Sequence, residues 1–584
     1  MAIPVLAAAF TVTRPVALPT PATAVRPEFD SYNAARLARE LATLYPDRSP
    51  GAAGSRGAAG WAEDQLSRLG LETSTDVFSA KIPGRSRTQL RNITAIVPGR
   101  SRDAIVVVAH RDATKGHPGT NNNASGAAAL IELARGYTAT RRGPVGGASP
   151  SHTLVFASTD GGAYGQLGAH RLAKTLQTTN GISAVVVLDA IASSGRPRIV
   201  IAGRGPHSAA PGLLATVSSK IAEQTGSQPT TAGVLGQLLD LAFPFSLTEQ
   251  SAFLAAGIPA ITISTGAERP AEDALRQRLD IARLGQIGRA AETSLASLDA
   301  SMEPVLGTRT YLYIGGRTVP GWALSMLYVA LLVPFAVAGT DLLVRLRRRR
   351  IPMWLAVRTY LRRLTFWLWA GALFYLFAVL GAWPRGDAAP VNPASQAAGH
   401  WPRLAIFAYT VILLLSWLVA RARLVRRGPV SGEQEVAGMA AALAALMAIS
   451  LVLIITNISA LLFILPSAHA WLFLVQARTR RAAVRAALYV AGLLGPIVLV
   501  GSFAVRFGLG LDAPWYLAEL TATGYVSPLG AVIFLAWLAV AAQMLAVVAG
   551  RYAPYPAPAD RPARSQLGTA IAAIRHPTRK QQPS

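Results

Sequence analysis

The sequence predicts an α/β domain, a mixed and mostly parallel sheet with helices on both faces, followed by an all-α transmembrane bundle. Three observations carry this. Up to about residue 305, short runs of Val, Ile and Leu alternate with helical stretches. From Pro320 onward come apolar stretches near the ~20 residues needed to cross a bilayer. The 584 residues are 52% hydrophobic and only 15% charged, too apolar for one soluble domain.

Taken in order, residues 1–30 read as a partial N-terminal signal-anchor and a linker. Met1 to Val12 is apolar but only half a span, and Pro15, Pro19, Pro21 and Pro27 then keep the chain extended. Residues 31–305 form the α/β domain. Helical patterns at about 31–45 and 55–69 precede the apolar runs Asn92–Val97, Ala104–Ala109, Thr153–Ala157, Ala184–Leu188, Ile199–Ala202 and Ala260–Ser264. A further helix is expected over about 123–137. Near-continuous apolar strands between helices imply a sheet buried on both faces, with ligand sites at the carboxyl ends of its strands.

Residues 306–550 read as a membrane domain of seven helices, at about 321–344, 364–383, 404–420, 437–456, 458–477, 487–505 and 529–549. Arginines crowd alternate loops: Arg345, Arg347 to Arg350, Arg358, Arg362, Arg363, Arg421, Arg423, Arg426, Arg427, Arg478, Arg480, Arg481 and Arg485. The other loops carry only Arg385, Arg403 and Arg506. Cytoplasmic loops retain Lys and Arg, so the C-terminus is expected inside and the α/β domain outside.

The formal charge of +26 is then mostly topology, which makes the lipid bilayer the expected partner and excludes nucleic acid. Pro466 and Pro496 are expected to kink their helices, and His469, Gln476 and Gln543 to hydrogen-bond between helices. The segment from Arg506 to Pro528, with Trp515, Tyr516 and Tyr525, reads as an interfacial anchor or a cover for the outer domain. Residues 551–584 read as a disordered cytoplasmic tail. The chain has no cysteine, hence no disulfide and no thiolate ligand. Its Ala/Arg/Gly-rich, Lys-poor composition suggests a bacterial cell-membrane protein.

Chemistry-bearing residues recur where strands end. His110 and Asp112 follow one strand, Asp160 a second and Asp189 a third. With Gly119-Thr120-Asn121-Asn122-Asn123-Ala124-Ser125-Gly126, Phe156 to Gly168, and Thr248 to Phe253 before Gly257-Ile258-Pro259, these landmarks fall in an ordered series.

From about Tyr32 to Ala300 the series resembles metallopeptidase family 28, the zinc aminopeptidases with two co-catalytic metal ions. The resemblance implies the zinc aminopeptidase (phosphorylase/hydrolase-like) fold and a site of two histidines, two terminal carboxylates, one bridging aspartate and a glutamate general base. By that correspondence His110 and Asp189 are the surviving metal ligands, and Asp112 orients the His110 ring. The bridging aspartate corresponds to Asn122, the general base to Gly162, and two further ligands to Ala163 and Gln250.

Two ligands of five hold zinc poorly, and loss of the base alone removes about 10²–10⁴ in rate. Possible substitutes are Asp160, His117 and Glu249. The kept Gly119 and Asn123 to Gly126 have structural uses, a tight turn and the opening of a helix.

The leading expectation is therefore a membrane-anchored, catalytically degenerate domain that binds or scaffolds a peptide or protein partner outside the cell. Two alternatives stay open. One is an active zinc aminopeptidase with relocated ligands; the other is a transport or lipid-handling protein with an outer binding domain.

Overall fold

The computed structural model describes residues 11–21, 28–82, 86–142, 149–178, 181–267, 278–301, 307–384, 390, 392–393, 401–424, 432–476, 481–550 and 552. Most of the expected signal-anchor and, apart from Tyr552, the expected tail lie outside these residues.

Helices α1 (Ser31–Leu44) and α2 (Ala53–Arg68) come first. Asp30 caps α1 by accepting hydrogen bonds from the amides of Tyr32 and Asn33. Next come strands β1 (Glu72–Lys81), β2 (Arg87–Val97) and β3 (Ala104–His110), helix α3 (Asn123–Arg142), β4 (Thr153–Thr159), α4 (Leu167–Gln177), β5 (Ile182–Asp189) and β6 (Arg198–Val200). Helices α5 (Pro211–Thr225), α6 (Val234–Ala242) and α7 (Gln250–Ala255), strand β7 (Ala260–Ser264) and helix α8 (Ile281–Asp299) complete the domain.

The seven strands lie in the order β1-β2-β4-β3-β5-β7-β6. The central β4, β3, β5 and β7 are parallel, whereas β1, β2 and β6 join antiparallel at the flanks. Every residue of β3 is buried, as an apolar run in a two-faced sheet requires. Helices α1, α3, α5 and α8 pack as one group and α4 with α7 as another. The sheet is thus mixed, mostly parallel and covered by helices, as expected.

Two strand expectations need correction. Strand β1 has no counterpart among the expected runs: its Glu72-Thr73-Ser74-Thr75-Asp76 start is polar and it pairs only with β2 at the edge. Strand β6 is shorter than Ile199–Ala202, because Ile201 and Ala202 turn away to bond the 208–209 segment.

The hairpin of β8 (Tyr311–Ile314) and β9 (Arg317–Pro320) leads into the helical region, and Thr13 of the proline-rich linker pairs with Thr318 in β9. Helices α9 (Gly321–Arg348), α10 (Met353–Val379), α11 (Arg403–Leu424), α12 (Gly432–Thr456), α13 (Leu461–Gln476), α14 (Ala482–Gly492), α15 (Leu494–Arg506), α16 (Ala513–Ala522) and α17 (Pro528–Val548) follow. Among the described residues five helices are long and apolar enough to cross a membrane, and α14 with α15 makes a sixth if the pair is one span.

Seven spans were expected, and these five or six are the helices among the described residues that meet the length and apolarity needed. The second expected span falls on α10, which carries Arg358, Arg362 and Arg363 and is not among the five. The expected bend near Pro496 is real, with α14 and α15 meeting at 55°. Gln543 does hydrogen-bond across helices, donating to the Gly438 carbonyl and accepting from Arg363. His469 instead bonds the Leu465 carbonyl of its own helix.

The segment after Arg506 takes its second expected role. Phe245 of the α/β domain sits among Phe503, Phe507, Tyr516 and Tyr525, and the Tyr525 hydroxyl donates to the Pro244 carbonyl at 2.6 Å. Each such aromatic pair is worth about 0.5–1.5 kcal/mol beyond its buried area. The covering segment thus fastens the loop that carries Glu249, four residues beyond Phe245.

Candidate functional site

His110 ends β3 and Asp189 ends β5, and the two strands pair in parallel, so both side chains emerge at one edge of the sheet. The buried imidazole lies between two carboxylates. Its Nδ1 is 3.2 Å from Asp112 Oδ1 and its Nε2 is 3.5 Å from Asp189 Oδ1. Burial pulls the His110 pKa down, but the hydrogen bonds to Asp112 and Asp189 outweigh it and hold it well above the usual histidine value. Asp112 moves the opposite way: burial alone would raise it, yet His110 and the amides of Gly162 and Ala163 keep it below the ordinary carboxylate value. Its Oδ1 faces the Nδ1 side of the His110 ring.

Those amides donate to Asp112 at 2.7 and 3.0 Å, from the 3₁₀ turn Gly162–Tyr164. At Gly162 an added Cβ would lie 2.3 Å from His110 Cγ, 2.5 Å from its Cβ and 2.7 Å from its Nδ1. The imidazole occupies the space in which any side chain at 162 would begin. Ala163 faces elsewhere, packed with Leu90, Tyr164 and Leu167 in a small apolar cluster. Gln250 is fully buried and its amide is fully engaged: Nε2 donates to the Ala202 carbonyl and Ser246 Oγ, and Oε1 accepts from Thr262 Oγ1 at 2.6 Å.

Around Asn122 the loop is held by its own hydrogen bonds. The Asn122 carbonyl accepts from Ala190 N, Asn121 Nδ2 donates to Ser193, and the Ser125 hydroxyl bridges the Asn121 carbonyl and Ile191 N. At Gly126 a Cβ would meet the Leu188 carbonyl at 2.4 Å, so glycine lets helix α3 close on β5. The motif thus has structural duties of its own.

One residue that sequence reasoning missed completes this frame. Arg48, fully buried, donates to the carbonyls of Arg111, Tyr45 and Pro118 and to Asn123 Oδ1. Desolvation lowers its pKa to about 10 against the pull of Asp112. Nothing local in the Pro46-Asp47-Arg48-Ser49-Pro50 stretch signals this, because every partner but Tyr45 is more than 60 residues away.

Of the three possible substitutes, the structure brings one near. Asp160 turns to the far side, where Oδ2 accepts from Ser55 and Arg91 N and stands 3.5 Å from Arg111, itself buried. Burial raises its pKa to about 6 despite Arg111. His117 sits half-buried on its loop and joins no ligand group. Glu249 is buried, accepts from Thr159 Oγ1 at 2.6 Å and is close enough to His110 for their charges to interact. Its second oxygen, Oε2, is buried without a hydrogen-bond partner. Burial pushes its pKa up to about 7, opposed by the His110 charge.

These donors do not fit a two-zinc centre. His110 and Asp189 face one another, but no group of three His, Asp or Glu able to hold a metal occurs among the described residues. A zinc site needs three or four strong ligands, and here the base position is filled by a ring.

The fold defines an aminopeptidase-like α/β domain joined to apolar helices. Residues 92–295 match the sequence profile of Peptidase family M28, and this part of the chain is an M28 peptidase-like domain. No curated protein matches the chain. Solved structures similar to it include an aminopeptidase from Aneurinibacillus sp. strain AM-1, 13% identical, covering 47% of this chain and 95% of that one with a TM-score of 0.38. The glutaminyl cyclase of Fimbriiglobus ruber is 16% identical over 47% of this chain and 99% of its own, TM-score 0.38. The zinc aminopeptidase BSAP from Bacillus subtilis is 13% identical over 46% and 95%, TM-score 0.38.

Proposed function

We propose that this is a multi-pass membrane protein whose M28-type domain lies outside the cytoplasm and binds or scaffolds a partner without hydrolysing peptide bonds. The observation that carries the reading is the His110 ring seated directly on Gly162, which leaves no room for a glutamate general base. The row Asp112, His110, Asp189 satisfies itself as an ion triad, with Asp189 its most exposed member at 17% of the side chain. Asp189 is then the group an incoming ammonium would meet, and a peptide or protein amino group is the expected visitor. The loop arginines support an inward C-terminus.

Metal analysis of the purified full chain tests this, together with hydrolysis of an aminoacyl amide. Substoichiometric zinc and no turnover are expected. Stoichiometric zinc, with hydrolysis lost in His110→Ala, would overturn the proposal in favour of an active peptidase with relocated ligands. The one feature favouring that second reading is Glu249 beside His110 and Asp189.

A further inference from the structure

Helix α6 carries an apolar face that only partly meets protein. Val234, Leu238 and Leu241 recur at i, i+4 and i+7, which sets them along one side of the helix. Leu241 is buried in the cluster that holds Leu324 of α9 and Leu461 of α13, and Leu238 packs against it. Val234 is 44% exposed and its neighbour Leu235 58%. The apolar face therefore runs past the edge of the helical bundle and leaves its first turn bare. Polar side chains of α6 fix how the helix is turned. Gln237 accepts from Tyr313 N and donates to the Tyr313 carbonyl, and Asp240 pairs with Arg506.

The bare turn lies where membrane-length helices end. Asn457, between α12 and α13, donates to the carbonyls of Leu241 and Ala242 at 3.0 and 3.3 Å. Ile455, on α12, is 84% exposed and stands about 3 Å from Asn457 along the helix axis. On a membrane-spanning helix such a side chain faces lipid. Trp322, in the first turn of α9, is 51% exposed, and tryptophan at the mouth of an apolar helix belongs at the headgroup level. Because α6 meets the bundle through its side, at the successive turns of Leu238 and Leu241, it lies across the helix ends instead of standing on them. A helix with one apolar side, lying at this level, is built for an interface.

We infer that the α/β domain is seated on the bilayer through α6, with Val234 and Leu235 entering the boundary between headgroups and acyl chains. The partner is the phospholipid surface, and it continues the contact that Leu238 and Leu241 make with protein. Apolar area left in water is unfavourable in proportion to its size, and lipid removes it from water. The loop from Phe243 to Gln250 follows α6 directly, so the seat sets the height of Glu249 over the bilayer. The inference rests on the apolar helices spanning a membrane. It stands whichever side of that membrane the domain occupies, and whether or not the His110 cluster hydrolyses anything.

The cysteine-free chain permits single labels. Val234→Cys and Leu235→Cys, each carrying a small fluorophore, are placed as the full chain in phosphatidylcholine nanodiscs. Nitroxide-bearing lipid is expected to quench both labels, and aqueous iodide to leave both bright. Leu44→Cys, 57% exposed on α1, should show the reverse. Adding Val234→Asp to the labelled Leu235→Cys chain should abolish quenching by lipid and admit iodide, because a carboxylate is expelled from the acyl boundary. Labels at 234 and 235 that iodide quenches, while labelled Ile455→Cys stays quenched by lipid, overturn the seat alone. Ile455→Cys untouched by the lipid nitroxide overturns the membrane reading and the seat with it. Protection of both labels from both quenchers means that protein, such as a second copy of the chain, covers the turn, and overturns the lipid. An unchanged response to Val234→Asp overturns apolar insertion as what holds this end of α6.

Discussion

Replacing Gly162 by alanine adds one carbon, and the structure says where it must go. The new atom would stand 2.3 Å from His110 Cγ and 2.5 Å from His110 Cβ, well inside van der Waals contact. Overpacking of this kind costs about 1–3 kcal/mol. If the ring yields, it also gives up its charge-assisted bond to Asp112, worth about 1.5–3 kcal/mol. Gly162→Ala is thus expected to destabilise the α/β domain by about 3 kcal/mol, read as the denaturant midpoint of the full chain in pulse proteolysis. The control is the same change in a His110→Gly background. Alanine at 110 would keep the Cβ that clashes, so glycine is required. There the penalty should shrink to within about 0.5 kcal/mol, leaving a coupling of about 2.5–3 kcal/mol between the two sites. A silent Gly162→Ala, or an equal penalty in both backgrounds, would refute the claim that His110 occupies the base position.

Three further outcomes are expected. Glu249 has a folded pKa of about 7 against an ordinary 4.5, so its contribution is full below about pH 4.5 and is lost as pH rises through about 7. Glu249→Gln should therefore gain stability relative to the parent across that window, by on the order of 2–3 kcal/mol at its upper end, and a pH-independent difference would contradict it. Arg48→Ala should cost about 2–4 kcal/mol and expose residues 111–122 to protease, with Arg48→Lys failing to rescue because an ammonium cannot fork to several carbonyls. The cysteine-free chain suits single-cysteine topology mapping. On intact cells an impermeant maleimide should label Leu44→Cys in the outer domain and spare Arg349→Cys, the reverse pattern disproving the orientation.

The loop from Phe243 to Gln250 joins the two halves of the molecule. Its Phe245 is packed by aromatic residues that lie more than 250 positions later, and its Glu249 reaches the His110 cluster. Movement of the 503–525 segment would be felt within four residues of the candidate site.

Much of this was legible in the amino-acid order. The central strands appear as unbroken Val/Ile runs because a sheet covered on both faces admits nothing else, and the apolar helices declare themselves by length. His110, Asp112 and Asp189 were found because strand ends are where side chains escape the sheet. What only the tertiary structure decided is where long-range partners sit: Asp160 turned to Arg111, Gln250 closed on three hydrogen bonds, Arg48 gathering three distant acceptors, and β1 added by pairing rather than by apolarity. Above all, sequence showed a glycine at 162, and only the fold showed that a histidine ring stands on it. Local patterns follow from period and burial, which neighbouring residues encode; contacts between residues dozens to hundreds apart depend on chain closure, which no local window contains.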